Sequence, residues 1–119
     1  MVDALKKITS PSVANAIETF NVRPRNQGNM SSEIRTLFPE MGPLVGHAVT
    51  AVIRAEPQPL EGHRASTFGW WDYVLSIPAP RVIVVHDLDE PRGQGAQWGE
   101  VQANIHKGLG CAGVITDGS

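Results

Sequence analysis

One stretch of the chain decides the fold: residues 81–119, which read RVIVVHDLDEPRGQGAQWGEVQANIHKGLGCAGVITDGS. The apolar run at 81–86 is typical of a central strand of a parallel sheet, covered on both sides. A glycine-rich loop at 93–97 leads into a helix predicted over about residues 97–107, and the apolar run at 111–116 predicts another strand. A strand, a helix and a strand in this order indicate a parallel pair joined by a right-handed crossover.

The chain before residue 81 supplies further elements of the same kind. Residues 66–76 carry apolar side chains at helical spacing and stop before Pro78, which predicts a helix. Residues 44–54 are rich in β-branched residues and predict a strand largely buried on both faces. A helix is predicted over about residues 11–20, a long loop over 21–42 with a helical turn near 32–38, and a second loop over 56–63. The whole order predicts an α/β fold in a single domain, residues 1–119.

Composition excludes several classes of partner. A formal net charge of −2 gives no broad basic field, so we expect no direct contact with nucleic acid. No apolar stretch reaches the roughly 20 residues of a membrane helix, and the first residues lack the apolar core of a signal peptide. The single cysteine, Cys111, cannot form an internal disulfide and is expected to be a buried reduced thiol. We therefore expect a cytoplasmic protein without a membrane partner.

The start of the last predicted helix is the candidate binding site. Gly99, Glu100, Val101 and Gln102 follow the glycine-rich loop directly. The first N–H groups of a helix have no partner within the helix, and here they face the mouth of a parallel sheet. Backbone N–H groups in that position bind small anions. The sequence therefore predicts a substrate-binding site for an anionic group at these four residues.

Acidic residues follow the central strand, in the run HDLDE at 86–90. The carboxyl edge of a parallel sheet commonly faces the ligand crevice, so this run admits a metal cluster, although solvated loop acids are the favoured interpretation. Asp87 lies close enough to the predicted site to orient water or a metal ion. Asp117, before Gly118, is expected to hold a turn, which is compatible with a role in the site. The glycine spacing at 93–99 does not fit a dinucleotide fingerprint, so nucleotide binding is discounted.

Four segments, taken in order, resemble landmarks of the RraA-like family, which includes the 4-hydroxy-4-methyl-2-oxoglutarate aldolases and the regulator of ribonuclease E activity. They are GHAVT at 46–50, PAPRVIVV at 78–85, GAQWGE at 95–100 and GLGCAGVITDG at 108–118. The resemblance covers nearly the whole chain from residue 11 onward. It implies an RraA-like swivelling β/α/β domain, with parallel strands and flanking helices, that further chain beyond Ser119 would complete.

The same resemblance implies an activity. Members of the family that are enzymes are divalent-metal lyases, aldolases or decarboxylases, and release pyruvate from 4-hydroxy-4-methyl-2-oxoglutarate-like or oxaloacetate-like 2-oxo acids. The amides matching residues 99–102 hold the pyruvyl carboxylate there. Asp87 and Asp117 are candidates for a supporting role beside that site on the strength of their own positions, not of the resemblance. A cation beside the ketone oxygen stabilises the enolate left by carbon–carbon cleavage.

The resemblance also implies where the metal ligands lie, which oligomer forms and which protein partner is possible. An Arg-Asp pair shortly after Ser119 would clamp the carboxylate and carry Mg²⁺ or Mn²⁺, so neither a catalytic residue nor a metal ligand is predicted within residues 1–119. A homotrimer or hexamer is expected. The alternative within the family is a non-catalytic regulator that binds and inhibits a ribonuclease by protein–protein contact.

Overall fold

The computed structural model describes residues 2–56 and 66–119. The chain divides into two compact units, Met1–Val45 and Gly46–Ser119. The loop predicted over residues 56–63 lies, apart from Glu56, outside the described residues. The prediction of one domain over residues 1–119 stays a prediction.

The first unit contains two short helices and a single 3-10 turn among its described residues. They are α1 (Val2–Leu5), α2 (Ser10–Glu18) and the 3-10 turn Pro39–Met41. Thr9 caps α2 because its hydroxyl accepts a hydrogen bond from the Ser12 N–H at 3.4 Å. The helix predicted over 11–20 is therefore confirmed with earlier ends. The helical turn predicted near 32–38 is wrong: regular structure begins instead at Pro39.

The second unit contains three strands and two helices in alternation. They are β1 (His47–Ile53), α3 (Thr67–Ser76), β2 (Arg81–Asp87), α4 (Glu100–Gly108) and β3 (Cys111–Thr116). The strands form one parallel sheet in the order β1-β2-β3, with β2 in the centre. This confirms the prediction of a mixed α/β fold with parallel strands flanked by helices.

The core of this unit lies on one face of the sheet. Val49, Val74, Ile83 and Val85 are its buried residues. The neighbouring positions of β1 point the other way, where Thr50 is exposed and the Val52 side chain is 62% exposed. The prediction that β1 is buried on both faces is therefore wrong, since burial alternates along it. Among the described residues, no helix combines the length and the apolar character needed to cross a bilayer.

Arg81, at the amino-terminal end of β2, links the sheet to the ends of α3 and α4. This residue is only 9% exposed. Its guanidinium donates to the carbonyl oxygens of Ile77 at 2.5 Å, Leu109 at 2.6 Å and Leu75 at 3.2 Å. These carbonyls lie where α3 and α4 end, so a cation there also suits the negative ends of both helices. The nearby Cys111 is a free thiol, half-buried, and burial raises its pKa.

Candidate functional site

The carboxyl edge of the sheet brings together two side chains that are far apart in the sequence. Val85 of β2 pairs with Thr116 of β3, so the residues that follow, His86 and Asp117, lie side by side. Nδ1 of His86 is 2.7 Å from Oδ2 of Asp117. Parallel strands place successive side chains in step, and this register produces the contact.

Asp117 is held from three directions. Its Oδ1 accepts a hydrogen bond from the Asp87 N–H at 2.8 Å, and Nη1 of Arg92 lies 3.4 Å from its Oδ2. Burial opposes the charged form, but the hydrogen bonds from Asp87 and His86 and the charge of Arg92 outweigh it. The pKa of Asp117 therefore lies below its ordinary value of 3.8. An ionised Asp117 only accepts, so Nδ1 of a neutral His86 carries the hydrogen and Nε2 carries the lone pair.

Asp87 and Asp89 are buried, with 2% and 4% of their surfaces exposed. Asp87 accepts hydrogen bonds from the backbone N–H groups of Asp89 at 2.9 Å and Gly93 at 2.7 Å, which lower its pKa. Asp89 accepts from the N–H groups of Ala55 and Glu56 at the end of β1. The interpretation of these acids as solvated is therefore wrong, because their oxygens tie the loops after β1 and β2 to the sheet.

The start of α4 offers the free N–H groups that the sequence predicts. Gly99 precedes the helix in an extended conformation and supplies no side-chain cap. The first intrahelical bond runs from the Ala103 N–H to the Gly99 carbonyl at 2.9 Å. In the part of the chain that the structure describes, the N–H groups of Glu100, Val101 and Gln102 donate to no protein acceptor. Three donors are therefore available at one point.

The buried side of α4 is marked by a histidine. Val101 is 70% exposed, whereas His106 is only 3% exposed. Nε2 of His106 accepts a hydrogen bond from the Trp70 indole N–H at 2.9 Å, and its Nδ1 donates to the Gln102 carbonyl at 2.8 Å. The helix is rotated so that this histidine, bonded at both nitrogens, faces α3.

Contacts along the chain connect the start of α4 with the His86–Asp117 pair. The Gln97 N–H, two residues before Gly99, donates to the Ser119 carbonyl at 2.7 Å. Ser119 is two residues after Asp117, and the intervening Gly118 lies directly against Asp87. The free amides and the histidine pair therefore belong to the same carboxyl edge of the sheet. This edge is where open parallel sheets place ligands.

The described residues contain no group of three or more His, Cys, Asp or Glu side chains arranged to hold a metal ion. Asp87 and Asp89 have their oxygens committed to backbone N–H groups. The residues of the described ranges therefore do not fit a Mg²⁺ site. None of the protein-family models, curated proteins and solved structures compared with the chain matches it.

Sequence reasoning missed the His86–Asp117 pair and the part of Arg92 in it. The available signal was a histidine at the end of one predicted strand and an aspartate just after the next. Neighbouring parallel strands end at the same edge, but the alignment of their ends is not visible in the sequence.

Proposed function

We propose that the protein is a pyruvate-releasing lyase of the RraA-like family, with that family's swivelling β/α/β fold. Its substrates are 2-oxo acids of the 4-hydroxy-4-methyl-2-oxoglutarate or oxaloacetate type. One observation carries the proposal: three N–H groups without a protein acceptor at the start of α4, at the carboxyl edge of a parallel sheet.

These residues would act by binding and orienting the substrate. The N–H groups of Glu100, Val101 and Gln102 would donate to the carboxylate next to the ketone, and the positive end of the helix favours that negative charge. A carboxylate fixed in this way sets the direction of the bond from C3 to C4, which is the bond to be broken. We derive no step through Mg²⁺ or Mn²⁺, which stay predictions from the resemblance, as do the homotrimer or hexamer.

Pyruvate release tests the activity directly. The full natural chain is incubated with oxaloacetate and separately with 4-hydroxy-4-methyl-2-oxoglutarate, with Mg²⁺, and pyruvate is followed through lactate dehydrogenase. We expect pyruvate from both substrates and loss of the signal with EDTA. No enzyme-dependent pyruvate from either substrate would contradict the proposal, and capture of a ribonuclease by the same preparation would then favour the regulator.

A pair of substitutions at one position tests the amide site itself. Glu100→Pro removes one of the three N–H groups at the first helical position, where proline is well tolerated, while Glu100→Ala keeps it. We expect Glu100→Pro to weaken pyruvate binding about tenfold relative to Glu100→Ala, since one hydrogen bond to a charged group is lost. Titration calorimetry with pyruvate measures the difference. Equal affinities of the two variants would show that this N–H group does not bind the ligand.

A further inference from the structure

The structure assigns to Trp98 the positioning of the three N–H groups at the start of α4. This inference rests on the proposed function, in which those groups bind the carboxylate of a 2-oxo acid. Trp98 does not touch the ligand in this assignment. It acts through the direction that it gives to the first turn of the helix, and it is therefore a positioning residue.

The residue between Trp98 and the first of these N–H groups does not fix that direction by itself. Gly99 precedes α4 in an extended conformation, and a Cβ atom at its position would meet nothing within 4 Å. Glycine leaves the backbone free to rotate unless its neighbours hold it. On one side the helix holds Gly99, because the Gly99 carbonyl accepts a hydrogen bond from the Ala103 N–H. On the other side the anchor is residue 98.

The ring of Trp98 is held at two places. It packs against the cluster of buried apolar residues that forms the core of the sheet. It also meets the ring of His106 edge-on, with the two ring centroids 4.8 Å apart. His106 lies in the last turn of α4 and is 3% exposed. A side chain that precedes α4 thus contacts both the core and the far end of the helix, and these contacts set the direction of α4.

Hydrogen bonding does not explain why a tryptophan stands at this position. Nε1 of Trp98 is buried and has no hydrogen-bond partner among the residues that the structure describes, whereas Nε1 of Trp70 donates to His106. A buried N–H group without an acceptor is destabilising, and phenylalanine would avoid that cost. What the side chain of Trp98 supplies is therefore the contact area of its ring.

Affinity for a carboxylate depends on this contact, because three donors bind one anion well only when they point at it together. A helix start that is fixed in advance presents its N–H groups in that arrangement before the ligand arrives. Without the ring, rotation about Gly99 would have to be frozen each time a ligand binds. The loss of backbone freedom would then be subtracted from the binding free energy.

Titration calorimetry with pyruvate compares the full natural chain with three variants, at one temperature at which circular dichroism shows all four proteins folded. Trp98→Ala removes the ring and should weaken pyruvate binding about tenfold, since the backbone of about one residue must then be ordered on binding. Trp98→Phe keeps a ring at the same place and should restore most of the affinity.

The matched control is Ile77→Ala. Ile77 packs against the same core as Trp98, but its carbonyl oxygen accepts from Arg81 at the amino-terminal end of β2, away from the start of α4. This variant should lose stability and keep the natural affinity for pyruvate. Affinity thus separates positioning from a general effect on the fold.

Natural affinity in Trp98→Ala, or an equal loss in Ile77→Ala, would overturn the role of Trp98 and leave the amide site in place. Equal losses in Trp98→Phe and Trp98→Ala would also overturn it, since the ligand would then need the indole N–H and not the ring. If Trp98→Ala does not fold, Trp98→Leu, with a shorter apolar side chain, replaces it in the same comparison. A natural chain that binds no pyruvate would overturn the amide site as well.

Discussion

At the scale of a single residue, Gly118 lies tightly against the buried Asp87. A Cβ atom at this position would lie 2.7 Å from Oδ2 and 2.9 Å from Cβ of Asp87. Asp87 is buried and cannot turn away without giving up its hydrogen bonds from Asp89 and Gly93. We expect Gly118→Ala to lower the free energy of unfolding by about 1–3 kcal/mol, as overpacking does. Urea denaturation measures the change.

The control for this prediction is Gly108→Ala. Gly108 is the last residue of α4, and a Cβ there meets nothing within 4 Å. Alanine is a better helix former than glycine, so stability should stay the same or rise by up to about 1 kcal/mol. Similar losses in the two variants would mean that the contact with Asp87 is not the cause.

At the scale of elements, the link between α3 and α4 depends on the hydrogen bond from Trp70 to His106. Trp70→Phe keeps most of the ring but leaves Nε2 of the buried His106 without its donor. We expect a loss of about 1–3 kcal/mol in the free energy of unfolding, the cost of an unsatisfied buried polar atom. Chemical denaturation followed by far-UV circular dichroism measures it.

The neighbouring tryptophan provides the comparison. Trp71 is half-buried like Trp70, and its ring packs edge-on against Phe68 at a centroid distance of 5.3 Å. Its indole N–H makes no hydrogen bond within the described part of the chain. Trp71→Phe should therefore cost less than Trp70→Phe. The reverse order would contradict a structural role for the bond to His106.

At the scale of the whole molecule, the two carboxylates at the sheet edge predict how stability changes with pH. The pKa values of Asp87 and Asp117 are lower in the folded protein than the ordinary 3.8, so the unfolded chain binds more protons in acid. Their contribution is complete at neutral pH and is lost as the pH falls through the ordinary value of 3.8 and then through the lower folded values. Unfolding free energies measured across this range should fall on acidification.

Asp117→Asn should flatten that decline, because one of the two groups no longer titrates. Asp72→Asn is the matched control, at an exposed aspartate of α3. It should leave the slope unchanged. An Asp117→Asn protein as acid-sensitive as the wild type would contradict the prediction.

The order and type of the helices and strands from β1 onward could be predicted from the sequence. Which of their faces are buried, and which side chains meet, could be predicted less well. Runs of β-branched residues and apolar side chains at helical spacing are local signals, and β3 begins and ends where predicted. Which side of β1 is buried depends on where the crossing helices pack, and the prediction of burial on both faces failed at Val52 for that reason. The free amides at Gly99 were predictable because an uncapped helix start is local. The contact of His86 with Asp117 joins positions 31 apart and depends on strand alignment.

The hydrogen bonds of the carboxylates at the sheet edge affect how an anionic ligand approaches. The side chains of Asp87, Asp89 and Asp117 all accept hydrogen bonds from backbone N–H groups, and Asp117 also lies beside Arg92. Their negative charge is thus partly neutralised before any solute approaches. An incoming dianion would meet far less repulsion than so acidic a segment suggests, and both the Arg92 guanidinium and the peptide dipoles of α4 would attract it.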